Sequence, residues 1–154
     1  MKNKKYVFAI IMLFIFNVVG CSSKSAEEPP EIPPDAIVKI NGEKIETARG
    51  TYKWESKGLF SNKTVIADAA SPFQIAENMK AEIIDQSSLA NVEFNDGSLP
   101  QLQAYIWEEE NRGEALLVNQ HQITLPSKKG KYVIEIYAEW TNGDSSYTFV
   151  VDVL

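Results

Sequence analysis

The clearest periodic signal lies at the C-terminal end of the chain. Between Lys131 and Trp140 the even positions are Tyr132, Ile134, Ile136, Ala138 and Trp140, while Lys131, Glu135 and Glu139 fall on odd ones. After Thr141-Asn142-Gly143-Asp144 the apolar set passes to Tyr147, Phe149, Val151 and Val153, with Ser146, Thr148 and Asp152 between them. Alternation with period two on both sides of a tight turn predicts two half-buried antiparallel strands, with Ser146, Thr148 and Asp152 facing outward. The segment from Ala36 to Glu55 has the same character. Asn41-Gly42 sits between two β-type runs there, and Asn-Gly is the strongest short hairpin signal.

Shorter strands follow at Thr64 to Ala67 and Ala81 to Asp85. More are expected between Ala90 and Gln122, punctuated by turn-like Asn95-Asp96-Gly97 and Asn111-Arg112-Gly113. Ser71 to Met79 reads as one helical turn. Ser71 caps it, Pro72 suits the first helical position and Gln74 falls three residues after the cap. Leu102 to Glu108 admits two registers. One buries Leu102, Ala104 and Ile106 and exposes Tyr105 and Trp107; the other buries the aromatics. About eight or nine short strands with almost no helix predict an all-β fold, an antiparallel β-sandwich with one short helical turn.

The front of the chain has a different pattern. Lys2, Lys4 and Lys5 precede an apolar run from Tyr6 to Val19, broken only by Asn17. That run is shorter than the roughly 20 residues a membrane-spanning helix needs, and it has the layout of an export signal. It ends in Val18-Val19-Gly20-Cys21, which resembles the lipobox of bacterial lipoproteins. Val18 and Val19 stand where Leu and Ala or Ser are commoner in that family. The resemblance implies cleavage before Cys21 and a diacylglycerol on its sulfur; in some members of that family the new N-terminus is acylated as well (palmitate or similar). Two such chains anchor stably where one binds only marginally. Ser22 to Asp35 carries four prolines, three glutamates and Ile32 as its one large apolar residue, so it reads as a disordered extended tether. The expected organisation is a signal peptide over 1–20, a lipidated Cys21 and Pro/Glu-rich tether over 21–35, and a sandwich domain over 36–154.

Charge narrows the partners. The full chain carries −6, and removing the three leader lysines leaves about −9. Such a surface repels nucleic acid and other polyanions. Cys21 is the sole cysteine, so the domain must be held by its core rather than by a disulfide.

A spaced series of motifs resembles small immunoglobulin-like lipoproteins and extracellular domains of Gram-positive bacteria. It comprises Gly50-Thr51-Tyr52-Lys53-Trp54, Ala67-Asp68-Ala69-Ala70-Ser71-Pro72, Gly130-Lys131-Tyr132 through Trp140, and Asn142-Gly143-Asp144 to Phe149. The resemblance covers residues 37 to 154. It implies an immunoglobulin-like sandwich on the extracytoplasmic face of the cell membrane, and similar domains are fused to membrane sensor-peptidases. It implies no activity.

Candidate chemistry is sparse. His121 is the single histidine, and no nucleophile elbow or other local catalytic signature accompanies it. Glu108, Glu109, Glu110 and Glu114 cluster near Asn111-Arg112-Gly113 without calcium-loop spacing, and one histidine with no free cysteine argues against zinc. Asp68 precedes the capped turn and is expected to bond local backbone amides. Trp54 and Trp140 are expected in the core. Tyr105, Trp107 and Tyr137 form the candidate binding face for a sugar or peptide. The function expected is a non-enzymatic, lipid-anchored binding or interaction module with no cofactor or metal. Its partners would be the membrane through Cys21 and an unidentified protein or small ligand. The alternatives are a regulatory ectodomain that modulates a membrane peptidase or sensor, and an envelope hydrolase.

Overall fold

Two-residue turns set the register of four hairpins. The computed structural model describes residues 31–58, 61–109 and 111–154. Strand β1 (Ala36–Ile40) meets β2 (Glu43–Lys44) through Asn41-Gly42, whose φ values of 53° and 85° are the left-handed pair a tight hairpin demands. Strands β7 (Gln101–Glu108) and β8 (Asn111–Leu116) pair Glu108 with Asn111, with Glu109 at φ 50° in the turn. Asn111-Arg112-Gly113, expected as a turn, therefore opens a strand, and the reversal lies just before it. Strands β9 (Val118–Asn119) and β10 (Gln122–Thr124) turn through Gln120-His121, both at positive φ. The long strands β11 (Gly130–Trp140) and β12 (Gly143–Val153) pair along their whole length, from Gly130 opposite Val153 to Trp140 opposite Gly143.

The other elements are β3 (Ala48–Lys57), β4 (Asn62–Ala67), helix α1 (Pro72–Ala76), β5 (Glu82–Ile84) and β6 (Leu89–Phe94). One sheet has the order β2-β1-β6-β10-β9. The other runs β4-β3-β12-β11-β7-β8, with β5 lying parallel beside the end of β12. All other pairs are antiparallel, and the two sheets pack into an all-β sandwich with one short helix. Twelve β segments replace the expected eight or nine. The surplus comes from the stretch between Ala90 and Thr124, where arms as short as the two residues of β9 carry too little periodicity to separate in sequence.

The core lies between the sheets. Val38, Ile40, Ala90, Val92 and Ile123 from one sheet meet Ala104, Ile134, Ile136, Phe149 and Val151 from the other. Full burial of each large aliphatic or aromatic side chain contributes roughly 1.5–3 kcal/mol. Trp54 is buried, and Trp140 packs half-buried against the core. Their rings meet edge-on at 5.3 Å, Trp140 meets Phe94 at 4.9 Å and Phe94 meets Tyr147 at 5.8 Å. Because Phe94 belongs to the first sheet, this aromatic chain stitches the sandwich across its layers.

Two expectations change. Ser146 and Thr148 alternate away from the core as predicted, yet both are buried, as is Val150. Ser146 is closed in by β3, where its hydroxyl donates to the Thr51 carbonyl and lies against Gly50, and α1 packs against β3, β7, β11 and β12 on the outer side of the second sheet. The start of α1 is the predicted one: Ser71 Oγ accepts from the Gln74 amide at 3.3 Å, and Gln74 Oε1 accepts from the Ser71 amide at 3.1 Å.

The end of the expected tether is also docked. Pro33 and Pro34 are buried. Arg49 Nη2 donates to the Pro33 carbonyl at 2.8 Å, and the Tyr147 hydroxyl donates to the Pro34 carbonyl. Asp35 and Asn95 exchange backbone and side-chain bonds, and Arg49 pairs with Asp35. Residues 33–35 thus belong to the sandwich, because two prolines that expose carbonyls without amides can be satisfied by donors from the domain.

Candidate binding face

The ambiguity over β7 resolves in favour of aliphatic burial. Ala104 and Ile106 face the core with Leu102 partly buried beside them, which places Tyr105 and Trp107 on the outer side of the second sheet, both half-buried. Tyr137 on β11 shares that side, since Glu135 lies opposite Tyr105 and Tyr137 opposite Gln103. The structure therefore brings Tyr105, Trp107 and Tyr137 onto one surface, beside the part covered by α1.

Two residues not singled out in the sequence hold this surface together. Glu135 is only 3% exposed although it stands on the outer face. Its carboxylate accepts from Trp107 Nε1 at 2.6 Å and from Arg112 Nε at 2.7 Å on Oε2, and from Arg112 Nη2 at 2.8 Å on Oε1. A buried carboxylate without such donors would carry a large desolvation cost; a bidentate guanidinium and an indole N–H supply the compensation. The Arg112 guanidinium also lies 4.7 Å from the Tyr105 ring centre and 5.3 Å from that of Tyr137, within cation–π range. Its hydrogen bonds to Glu135 hold Arg112 above the usual guanidinium pKa. Burial, then the negative charges of Asp144 and Glu139, push the Tyr137 hydroxyl up as well. The Tyr105 hydroxyl donates to Gln103 Oε1.

Arg112 escaped notice because reading Asn111-Arg112-Gly113 as a turn removed it from the sheet. Glu135 carried a faint signal: it is an acid whose same-face neighbours along β11 are Val133 and Tyr137, where a solvated strand face would be more polar throughout.

The remaining candidates fall elsewhere. His121 sits in the β9–β10 turn with Nε2 2.9 Å from the Pro100 carbonyl oxygen, its ring edge towards Phe94 at 6.4 Å. Glu108 leans across Gly113, while Glu109 and Glu114 are exposed on the β7–β8 hairpin. Among the described residues no three His, Cys, Asp or Glu side chains converge as metal ligands. Asp68 is exposed, and the neighbouring Ala69 amide donates to Thr51 Oγ1 at 3.2 Å. Cys21 and Glu110 lie outside the described residues. Among the described residues no helix is long and apolar enough to cross a membrane. Comparison of the chain with family models, characterised proteins and solved structures finds no match.

Proposed function

We propose that this chain is a lipid-anchored, extracytoplasmic interaction module whose sandwich is immunoglobulin-like and whose role is binding rather than catalysis. The observation that carries the reading is the end of the apolar leader in Val18-Val19-Gly20-Cys21, with no other cysteine in the chain. The Gram-positive lipoprotein resemblance points the same way. The aromatic surface around Tyr105, Trp107 and Tyr137, braced by Arg112 and Glu135, supports a contact surface of standard type: rigid aromatics and an arginine, the residues that dominate interface energetics. The membrane is reached through lipid on Cys21, and the second partner is a protein or small ligand. An acidic surface disfavours nucleic acid.

The test is fractionation of cells expressing the wild type and Cys21→Ala, with mass measurement of the mature N-terminus. The wild type is expected in the membrane fraction, beginning at a diacylated Cys21. The variant is expected to be released or to keep its leader. Unchanged membrane fractionation with normal maturation of Cys21→Ala overturns the reading. Crosslinking on intact cells separates a module that modulates a membrane peptidase or sensor, which would recover that protein, from one that binds a soluble ligand.

A further inference from the structure

Arg112 fills a cage that other residues build. Without its side chain there remains a buried carboxylate, Glu135, one oxygen of which is already fixed by the Trp107 indole N–H, flanked by the Tyr105 and Tyr137 rings. A carboxylate presented to two parallel N–H donors beside aromatic faces is the chemistry that selects a guanidinium over an ammonium. The strand supplying the present occupant is weakly held. Strand β8 is at the sheet edge, pairs only with β7, and shifts register between Tyr105 and Trp107. Its residues from Asn111 to Ala115 are exposed, and the Arg112 side chain itself is 43% exposed.

We infer that the Tyr105–Trp107–Glu135–Tyr137 cage is an arginine-recognition site, closed in cis by Arg112, and that its ligand is an arginine side chain of a basic peptide segment on a partner. This rests on the interaction-module reading and names the ligand chemistry. The charges of Asp144 and Glu139 act on Tyr137, and the Glu108 carboxyl lies against Gly113 beside Arg112, so the cage has acidic neighbours. Such a field concentrates a basic segment and orients its approach. Exchange leaves Glu135 paired throughout, because one guanidinium replaces another while Arg112 moves into water. Discrimination then comes from the rest of the peptide, and the intrinsic affinity for a lone arginine is masked by the resident side chain.

The experiment follows the Trp107 indole N–H by NMR in the full chain purified in detergent micelles. Wild-type protein titrated with an arginine-rich peptide is expected to shift this signal saturably, and a lysine-rich peptide of equal charge is expected not to. Arg112→Ala titrated with N-acetyl-arginine amide is expected to bind about tenfold or more tightly than the wild type does, because the cage no longer has an occupant to displace. The neutral citrulline analogue should be silent, and adding Glu135→Gln should abolish the response. Arg112→Gln serves if the alanine variant does not fold. A wild-type signal that ignores arginine peptides, or follows lysine peptides equally, overturns the inference; so does a citrulline response equal to that of arginine. None of these readouts depends on Cys21. A silent cage on a lipidated protein therefore rejects the arginine site alone, and an arginine-binding cage on an unlipidated protein rejects the anchor alone.

Discussion

Tyr147 shows how one side chain ties distant parts of the chain. It is 1% exposed, packs its ring against Phe94 and donates its hydroxyl proton to the Pro34 carbonyl, 113 residues away in sequence. Burial is the main cause of its raised pKa, which Ser145 and Arg49 partly offset. In the unfolded chain the phenol titrates near 10. Below that pH both states hold the proton and the contribution of Tyr147 to stability is complete. As pH rises further the unfolded chain releases its proton first, so stability falls until the folded pKa is passed. Tyr147→Phe is expected to cost about 1 kcal/mol at pH 7 through the lost hydrogen bond, and to flatten the alkaline decline. Urea unfolding from about pH 7 to about pH 11, a range that brackets the phenol's unfolded pKa, checks this; an alkaline slope identical in both proteins would show that Tyr147 is not its source. The sequence placed Tyr147 in the core through its alternation with Phe149 and Val151. No local pattern announces that a buried hydroxyl will meet the carbonyl of a proline outside every strand.

Among the elements, the β11–β12 hairpin was the most legible and its corner is the most constrained. Gly143 has φ +157°, and a Cβ there would lie 2.2 Å from the Lys53 carbonyl oxygen and 2.9 Å from Trp54 Cε3. Neither neighbour yields easily, since one is backbone in β3 and the other is a buried indole. Gly97 is the internal comparison: φ is +74°, and a Cβ there would meet nothing within 4 Å. Gly97→Ala should cost the left-handed penalty of roughly 1–2 kcal/mol. Gly143→Ala should cost more, since steric overpacking of about 1–3 kcal/mol adds to its backbone strain. Denaturation midpoints rank the two, and a Gly143→Ala protein at least as stable as Gly97→Ala would contradict the clash. Period-two alternation reveals a hairpin of this length because each strand repeats the signal many times. The two-residue arm β9 repeats it once, which is why it was invisible, whereas the equally short β2 was readable only through the Asn41-Gly42 turn ahead of it. The β7–β8 hairpin was displaced for a related reason: an Asn-Arg-Gly triplet has turn chemistry, but pairing of Arg112 opposite Trp107 and Glu108 opposite Asn111 outweighs it.

At the scale of the whole molecule, the sandwich begins earlier than composition implies, inside the Pro/Glu-rich segment. Four prolines and three glutamates between Ser22 and Asp35 describe a segment without a core of its own, and that much is a property of composition. Whether its last residues dock depends on Arg49, Asn95 and Tyr147, which only the folded sandwich assembles. A protein beginning at Ala36 should therefore be less stable than one beginning at Glu31 by about 2–4 kcal/mol, the sum of a few hydrogen bonds and the packing of Pro33 and Pro34. Thermal melts of the two truncations check this, and equal midpoints would place the true boundary after Asp35. The sandwich itself was readable from turns and alternation. The candidate face was half readable: its three aromatics are visible in sequence, whereas the Glu135–Arg112 pair that fixes them comes from two strands that only the topology brings to either side of β7.

The docked prolines also define a load path. Tension on the chain ahead of Glu31 reaches Pro33 and Pro34 before it reaches β1, and is handed through Arg49 and Tyr147 to β3 and β12. Strand β12 is flanked by β11 on one side and by β3 and β5 on the other, so the pull is shared among three ladders instead of unzipping an edge.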